Sequence, residues 1–177
     1  DMKQTLKNLL LIGVLISMPY SSAFAKAYAR LGGTYSTQEA GSEGSESESK
    51  RMVMDIGGGH IWSNGATLGL LYATEKNEAG GASIDRKAYG PTVGWVTKSS
   101  DGPYVLFTYF LKVERSDNYE GSGMQLDLGY KFGGRTVGFA PQLTYRDLKY
   151  DKVSGASISP KTIDKKIEPL FVAWMDF

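Results

Sequence analysis

No cysteine occurs in the 177 residues, and His60 is the sole histidine. The first absence excludes a disulfide scaffold, a thiolate zinc site and a cysteine nucleophile. The second excludes a His-rich metal site. An excess of one charge is missing too, since 20 basic residues face 19 acidic ones. Such balance argues against a nucleic-acid partner, which would call for a basic face. After residue 25 no stretch approaches the ~20 apolar residues of a membrane-spanning helix. Glycine and aromatics are abundant instead: 22 Gly, 11 Tyr, 7 Phe and 3 Trp. A chain this aromatic is not disordered. The composition describes one ordered domain with little catalytic hardware.

Residues 2–25 read as an address. Lys3 and Lys7 give a positive start, Leu9 to Ile16 an apolar run, and Ala23-Phe24-Ala25 a small-residue cleavage site. This is the pattern of a cleavable secretory signal peptide, and the run is too short for a membrane anchor. Asp1 reads as an added residue ahead of the natural start, Met2. The expected mature chain is 26–177, with 18 basic and 18 acidic residues. If it sits in a membrane, it must do so as a closed barrel.

Beyond residue 26 the apolar residues recur with period two, the mark of strands. The pattern predicts strands at 26–38, 51–62, 67–76, 87–97, 104–115, 122–132, 136–150 and 165–177. Each has about the ~9–11 residues of a tilted bilayer crossing, plus rims. The connections 39–50, 77–86, 116–121 and 151–164 are expected as loops at one end. At the other end, 63–66, 98–103 and 133–135 carry turn chemistry, with Asn64-Gly65 as a hairpin signal. Long loops at one end and short turns at the other describe an outer-membrane barrel, although 116–121 is no longer than 98–103.

Two faces alternate. Val105, Phe107, Tyr109, Leu111 and Val113 oppose Leu106, Thr108, Phe110, Lys112 and Glu114. Met124, Leu126, Leu128, Tyr130 and Phe132 oppose Gln125, Asp127, Gly129 and Lys131. A soluble lipocalin-like barrel would turn its apolar face inward. The polar face here is rich in Gly, Ala and Thr, which suits the crowded interior of eight strands. Aromatics fall where membrane girdles belong: Trp62, Trp95, Tyr130 and Phe132 near the short turns, Tyr35, Tyr72, Tyr89 and Tyr145 near the long loops.

The chain stops on alternating Phe171, Ala173, Met175 and Phe177. This resembles the C-terminal signal of bacterial outer-membrane barrels, which that family's assembly machinery recognises. With the signal peptide, the even strand count and the loop asymmetry, the chain resembles small eight-stranded barrels of the OmpA-transmembrane, OmpX and OmpW type. The resemblance covers 26–177. It implies an all-β fold, an eight-stranded antiparallel up-and-down transmembrane β-barrel in a Gram-negative outer membrane. The partners it implies are outer-membrane lipid and lipopolysaccharide, the barrel assembly machinery during insertion, and a ligand of the loops.

On this parity eight charges point into the lumen: Arg30, Asp55, Lys112, Glu114, Asp127, Lys131, Arg146 and Glu168. Unpaired charges are costly away from water, so these should pair across neighbouring strands. In a bore barely wide enough for its own side chains, a self-neutralised network reads as a plug. The expected function is a non-enzymatic barrel with a closed or very narrow lumen, acting structurally or through its loops. A narrow porin-like channel for small or apolar solutes, with Pro91 and Pro141 marking breaks in strand pairing, is the alternative. A lipid-modifying enzyme is disfavoured. The resemblance brings to mind deacylases and palmitoyltransferases, which use His with Ser and an acid, but His60 shares parity with the lipid face and no His-x-Ser motif occurs. Glu114 and Asp127 could face each other as a carboxylate pair, yet Lys112 and Lys131 beside them favour salt bridging. Gly57-Gly58-Gly59 lies in a strand and is no phosphate loop. The Ser/Glu-rich 42–48 lacks the spacing of a calcium loop and reads as solvated. No cofactor or metal is implied.

Overall fold

A computed structural model describes residues 26–42, 45–133 and 136–177, with backbone alone for 39–42 and 45–47. The expected signal peptide lies outside these residues. Eight strands run β1 Lys26–Ser42, β2 Ser45–Ile61, β3 Ala66–Ala79, β4 Ala82–Val96, β5 Gly102–Arg115, β6 Tyr119–Gly133, β7 Val137–Val153 and β8 Ala156–Asp176. Each pairs antiparallel with the next, and β8 returns to β1, so the ring closes in chain order. Full closure removes the sheet edges that a bilayer would not tolerate.

Period-two alternation fixes which face each residue takes. The outer wall carries Leu31, Ile56, Leu70, Phe107, Leu128, Phe139, Ile167 and Phe171, all exposed. A continuous apolar belt of this kind has no place in water, where exposed patches rarely exceed a few hundred Å². It is the lipid-facing surface of a membrane-spanning barrel. Inside, Tyr28, Tyr104, Leu106, Val172 and Trp174 form an apolar floor near the short turns. A second cluster, including Leu71, Phe110, Val113, Leu148 and Tyr150, lines the wall of β3, β5 and β7 nearer the other end.

The expected long loops are corrected by the strands, which run on through them. β1 and β2 pair out to Ser42↔Ser45, β3 and β4 to Ala79↔Ala82, and β7 and β8 to Val153↔Ala156. Gly80 and Gly81 both take positive φ, 56° and 82°, as do Ser154 and Gly155, 51° and 80°. That is the two-residue turn whose twist matches the strands it joins. Segments that look polar and loop-like in sequence are solvated hairpin ladders, because a strand above the lipid has no face that must be apolar. Both ends therefore carry short connections, and the asymmetry lies in how far the hairpins protrude.

β5 carries one extra residue. Its register skips between Phe110 and Val113 against β6, and β4 skips between Tyr89 and Thr92 against it. Such a bulge re-aims side chains. Leu111 is exposed, the Lys112 side chain is 44% exposed, and Val113 is buried.

The β1–β8 seam is short, running only from Tyr28↔Asp176 to Gly33↔Phe171. Pro169, two residues back along β8, has no N–H to extend it.

Candidate functional site

The lumen holds a chain of charge pairs running along the barrel. Near the short turns Lys131 donates to Asp176 at 2.9 Å, and Trp174 Nε1 donates to the same carboxylate at 2.6 Å. Above the apolar floor, Arg30 donates to Asp127 at 2.8 Å and to Gln142 at 3.1 Å. Asp127 also accepts from Gln125 and Thr144, each at 2.9 Å. Gln125 bridges onward, donating to Asp55 at 2.9 Å and accepting from Arg146 Nε at 2.7 Å. Arg146 then binds Asp55 and Glu168 together. Higher still, Arg51 spans Glu168 and Glu75. Glu75 also takes Arg86 and, at 2.8 Å, Lys166, while Arg86 reaches Asp164 at 2.6 Å. Six cations, Arg30, Arg51, Arg86, Lys131, Arg146 and Lys166, are matched by Asp55, Glu75, Asp127, Asp164, Glu168 and Asp176.

Glycines on the inner wall make this density fit. A Cβ at Gly57 would lie 3.0 Å from Arg30 Nε, and one at Gly129 would lie 2.3 Å from the Tyr104 ring. Asp127, Gln125, Thr108 and Thr144 keep no accessible surface at all. Every charged member has an ion-pair partner, although Arg51 Nη2 and Glu168 Oε2, which face each other, make no hydrogen bond.

Of the charges expected in the lumen, Arg30, Asp55, Asp127, Lys131, Arg146 and Glu168 point inward and are buried. Lys112 and Glu114 do not. The β5 bulge turns both outward, where they pair with each other. Glu114 therefore cannot form a carboxylate pair with Asp127. The pairing pattern differs as well. Arg30 reaches from β1 to β6, and Arg146 reaches from β7 to β2 as well as to Glu168 on neighbouring β8, so pairs cross the bore in addition to joining adjacent strands. Arg51, Glu75, Arg86, Asp164, Lys166 and Asp176 were missed. Arg51 shares its face with Asp55, and Lys166 and Asp176 share theirs with Glu168, so parity held the signal. Arg86 and Asp164 fell in supposed loops.

His60 is exposed on the outer wall of β2, opposite Ala27 and Leu68. Trp95, Tyr130 and Phe132 are exposed at the short-turn end, with Trp62 partly so, and the Trp95 indole donates to Asn64 O at 3.1 Å. Tyr35, Tyr72 and Tyr89 are exposed higher on the wall, with Tyr145 partly covered. Phe171, Ala173, Met175 and Phe177 all face outward. At the protruding end, in the turn after β5, Arg115 holds the Asp117 carboxyl below its ordinary range.

The backbone superposes on Neisserial surface protein A, NspA, with a TM-score of 0.58 and 15% identity, covering 86% of this chain and 97% of that one. The chain has the fold of a small outer-membrane β-barrel. OprG of Pseudomonas aeruginosa aligns more loosely, with a TM-score of 0.47 and 10% identity over 86% of this chain and 95% of that one. OmpT of Vibrio cholerae gives 0.37 and 14% identity over 85% and 52%. No protein-family model and no curated protein matches the sequence.

Proposed function

We propose that the protein is a non-enzymatic integral barrel of the Gram-negative outer membrane, closed to solutes, acting structurally or through the hairpins it holds above the lipid. The apolar belt, the fold and the signal-peptide pattern support the location. One observation carries the closed state: Asp127, at the centre of the bore, has no accessible surface and is held by Arg30, Gln125 and Thr144. Buried pairs of this kind are little screened, so salt does not loosen them as it would surface pairs. The position of His60 on the outer wall, remote from the lumen acids, supports a non-catalytic role, because a base must lie within hydrogen-bond reach of its target.

Planar-bilayer recording tests the reading. The unmodified protein should give no steady conductance at neutral pH, and its expression should leave the mass of lipid A unchanged. A large, stable conductance would replace the plug with a narrow channel for small or apolar solutes. A shifted lipid A mass would restore the enzyme reading.

A further inference from the structure

Over β2 to β5 the outer wall is hollowed. The hollow holds about 480 Å³, walled by Leu70, Tyr89, Pro91 and Leu111 and floored by the backbone of Gly58 and Gly90. Its origin is local. Gly58 faces outward with no side chain, and the β4–β5 ladder breaks at Pro91, which has no N–H to offer. The bulge then turns two consecutive residues outward, Leu111 into the hollow and Lys112 at its upper edge. Lys112 lies in register with Tyr89, and Lys87, also exposed, stands two residues above Tyr89. Lys87 is a diagonal cross-strand neighbour of Lys112, at a spacing of about 7–8 Å. Lys112 pairs with the half-exposed Glu114, which also lies in register with Lys87, and water weakens that ion pair. Lys87 makes no ion pair among the described residues.

We propose that this hollow is a binding site for one phosphate-bearing membrane lipid, with an acyl chain in the hollow and the phosphate between Lys87 and Lys112. The site rests on the membrane reading above and names a partner for it. An apolar hollow in the lipid belt is filled by hydrocarbon, since an empty one forfeits its dispersion contacts. Two ammonium groups at its upper rim stand where headgroups lie, and their charge-assisted bonds to phosphate are strong. A second copy docking isologously would instead bring its own lysines against these.

The barrel in detergent micelles is mixed with phosphatidate, or with diacylglycerol of the same acyl chains, and weighed by native mass spectrometry. One phosphatidate should remain bound, with diacylglycerol retained about tenfold less. K87Q/K112Q should lose phosphatidate to the same degree, and L70W, which fills the hollow, should lose both lipids. K165Q, on the far wall, should bind as the parent does. Equal retention of the two lipids would overturn the site, as would an unaffected double variant, displacement by millimolar inorganic phosphate, or a lipid-free dimer. Heat-modifiable mobility after reconstitution separates the readings. Failure to insert tells against the membrane barrel, whereas insertion without a phosphate-selective adduct tells against this site alone.

Discussion

Arg30 on β1 and Asp127 on β6 meet at 2.8 Å through the bore, three strands apart around the wall and 97 residues apart in sequence. The contact runs through the barrel rather than around its wall. A charge with a single distant partner has little to fall back on, so removing either member strands the other in a site closed to water.

Asp127→Asn keeps the shape but removes the charge. Arg30 would retain only Gln142 and a weakened amide contact. Breaking a buried pair of this kind costs about 3–5 kcal/mol. Urea unfolding of the micelle-folded barrel, followed by heat-modifiable mobility, should show that loss. A shift below ~1 kcal/mol, the range of surface pairs, would mean that water reaches the site.

Leu128 lies in register with Val105 and Leu143, all three exposed on the outer wall. Leu128→Arg should cost about 2–4 kcal/mol in a bilayer if that row lies near its midplane. In detergent, where the micelle deforms around the charge, the cost should shrink. Equal stability of parent and variant in bilayers would place the row outside the hydrocarbon.

Glu75 and Glu168 together hold Arg51, Arg86, Arg146 and Lys166. Neutralising both as E75Q/E168Q leaves those cations short of anions. Bilayer recordings should then show small, flickering, anion-preferring currents. Continued silence would indicate that the apolar floor around Tyr28, Tyr104 and Trp174 seals the bore unaided.

Deleting Phe177 removes one exposed aromatic and the backbone bond from its N–H to Ala27 O. Refolding in vitro should change little, because the ring faces lipid. Outer-membrane yield in cells should fall well below that of a single hairpin-tip deletion such as Gly80. Equal yields would mean that the terminal residue is not read during assembly.

Alternation made the wall legible. The apolar series from Val105 to Leu111 and from Met124 to Phe132 has only one face to give to lipid, and the inward set follows from it. What could not be read was where the count slips. A bulge adds a residue without a sequence flag, so Lys112 and Glu114 kept an inward parity that β5 abandons after Phe110. Strand ends above the lipid were hidden for a different reason. Once neither face must be apolar, Glu78, Ser83 and Lys152 can occupy a ladder as easily as a loop. Partners across the bore are set by three-dimensional reach, which is why the Arg30–Asp127 and Arg146–Asp55 links lie outside anything that strand adjacency predicts.

The seam between β1 and β8 joins the two ends of the chain, so of the eight strand pairings it carries the largest loop-closure cost. Its few rungs have help. Arg30, on one side of the seam, is tethered to Asp127, and Asp176, on the other, is tethered to Lys131. Both tethers anchor on β6, two strands from β8 and three from β1, so the Arg30–Asp127 link spans the seam and the Lys131–Asp176 link braces its β8 side. The side chains that stop the bore are thus also tie-rods that clamp the cylinder shut along its one poorly stitched line. Loosening them would let the barrel gape sideways into the bilayer before it opened a hole along its axis.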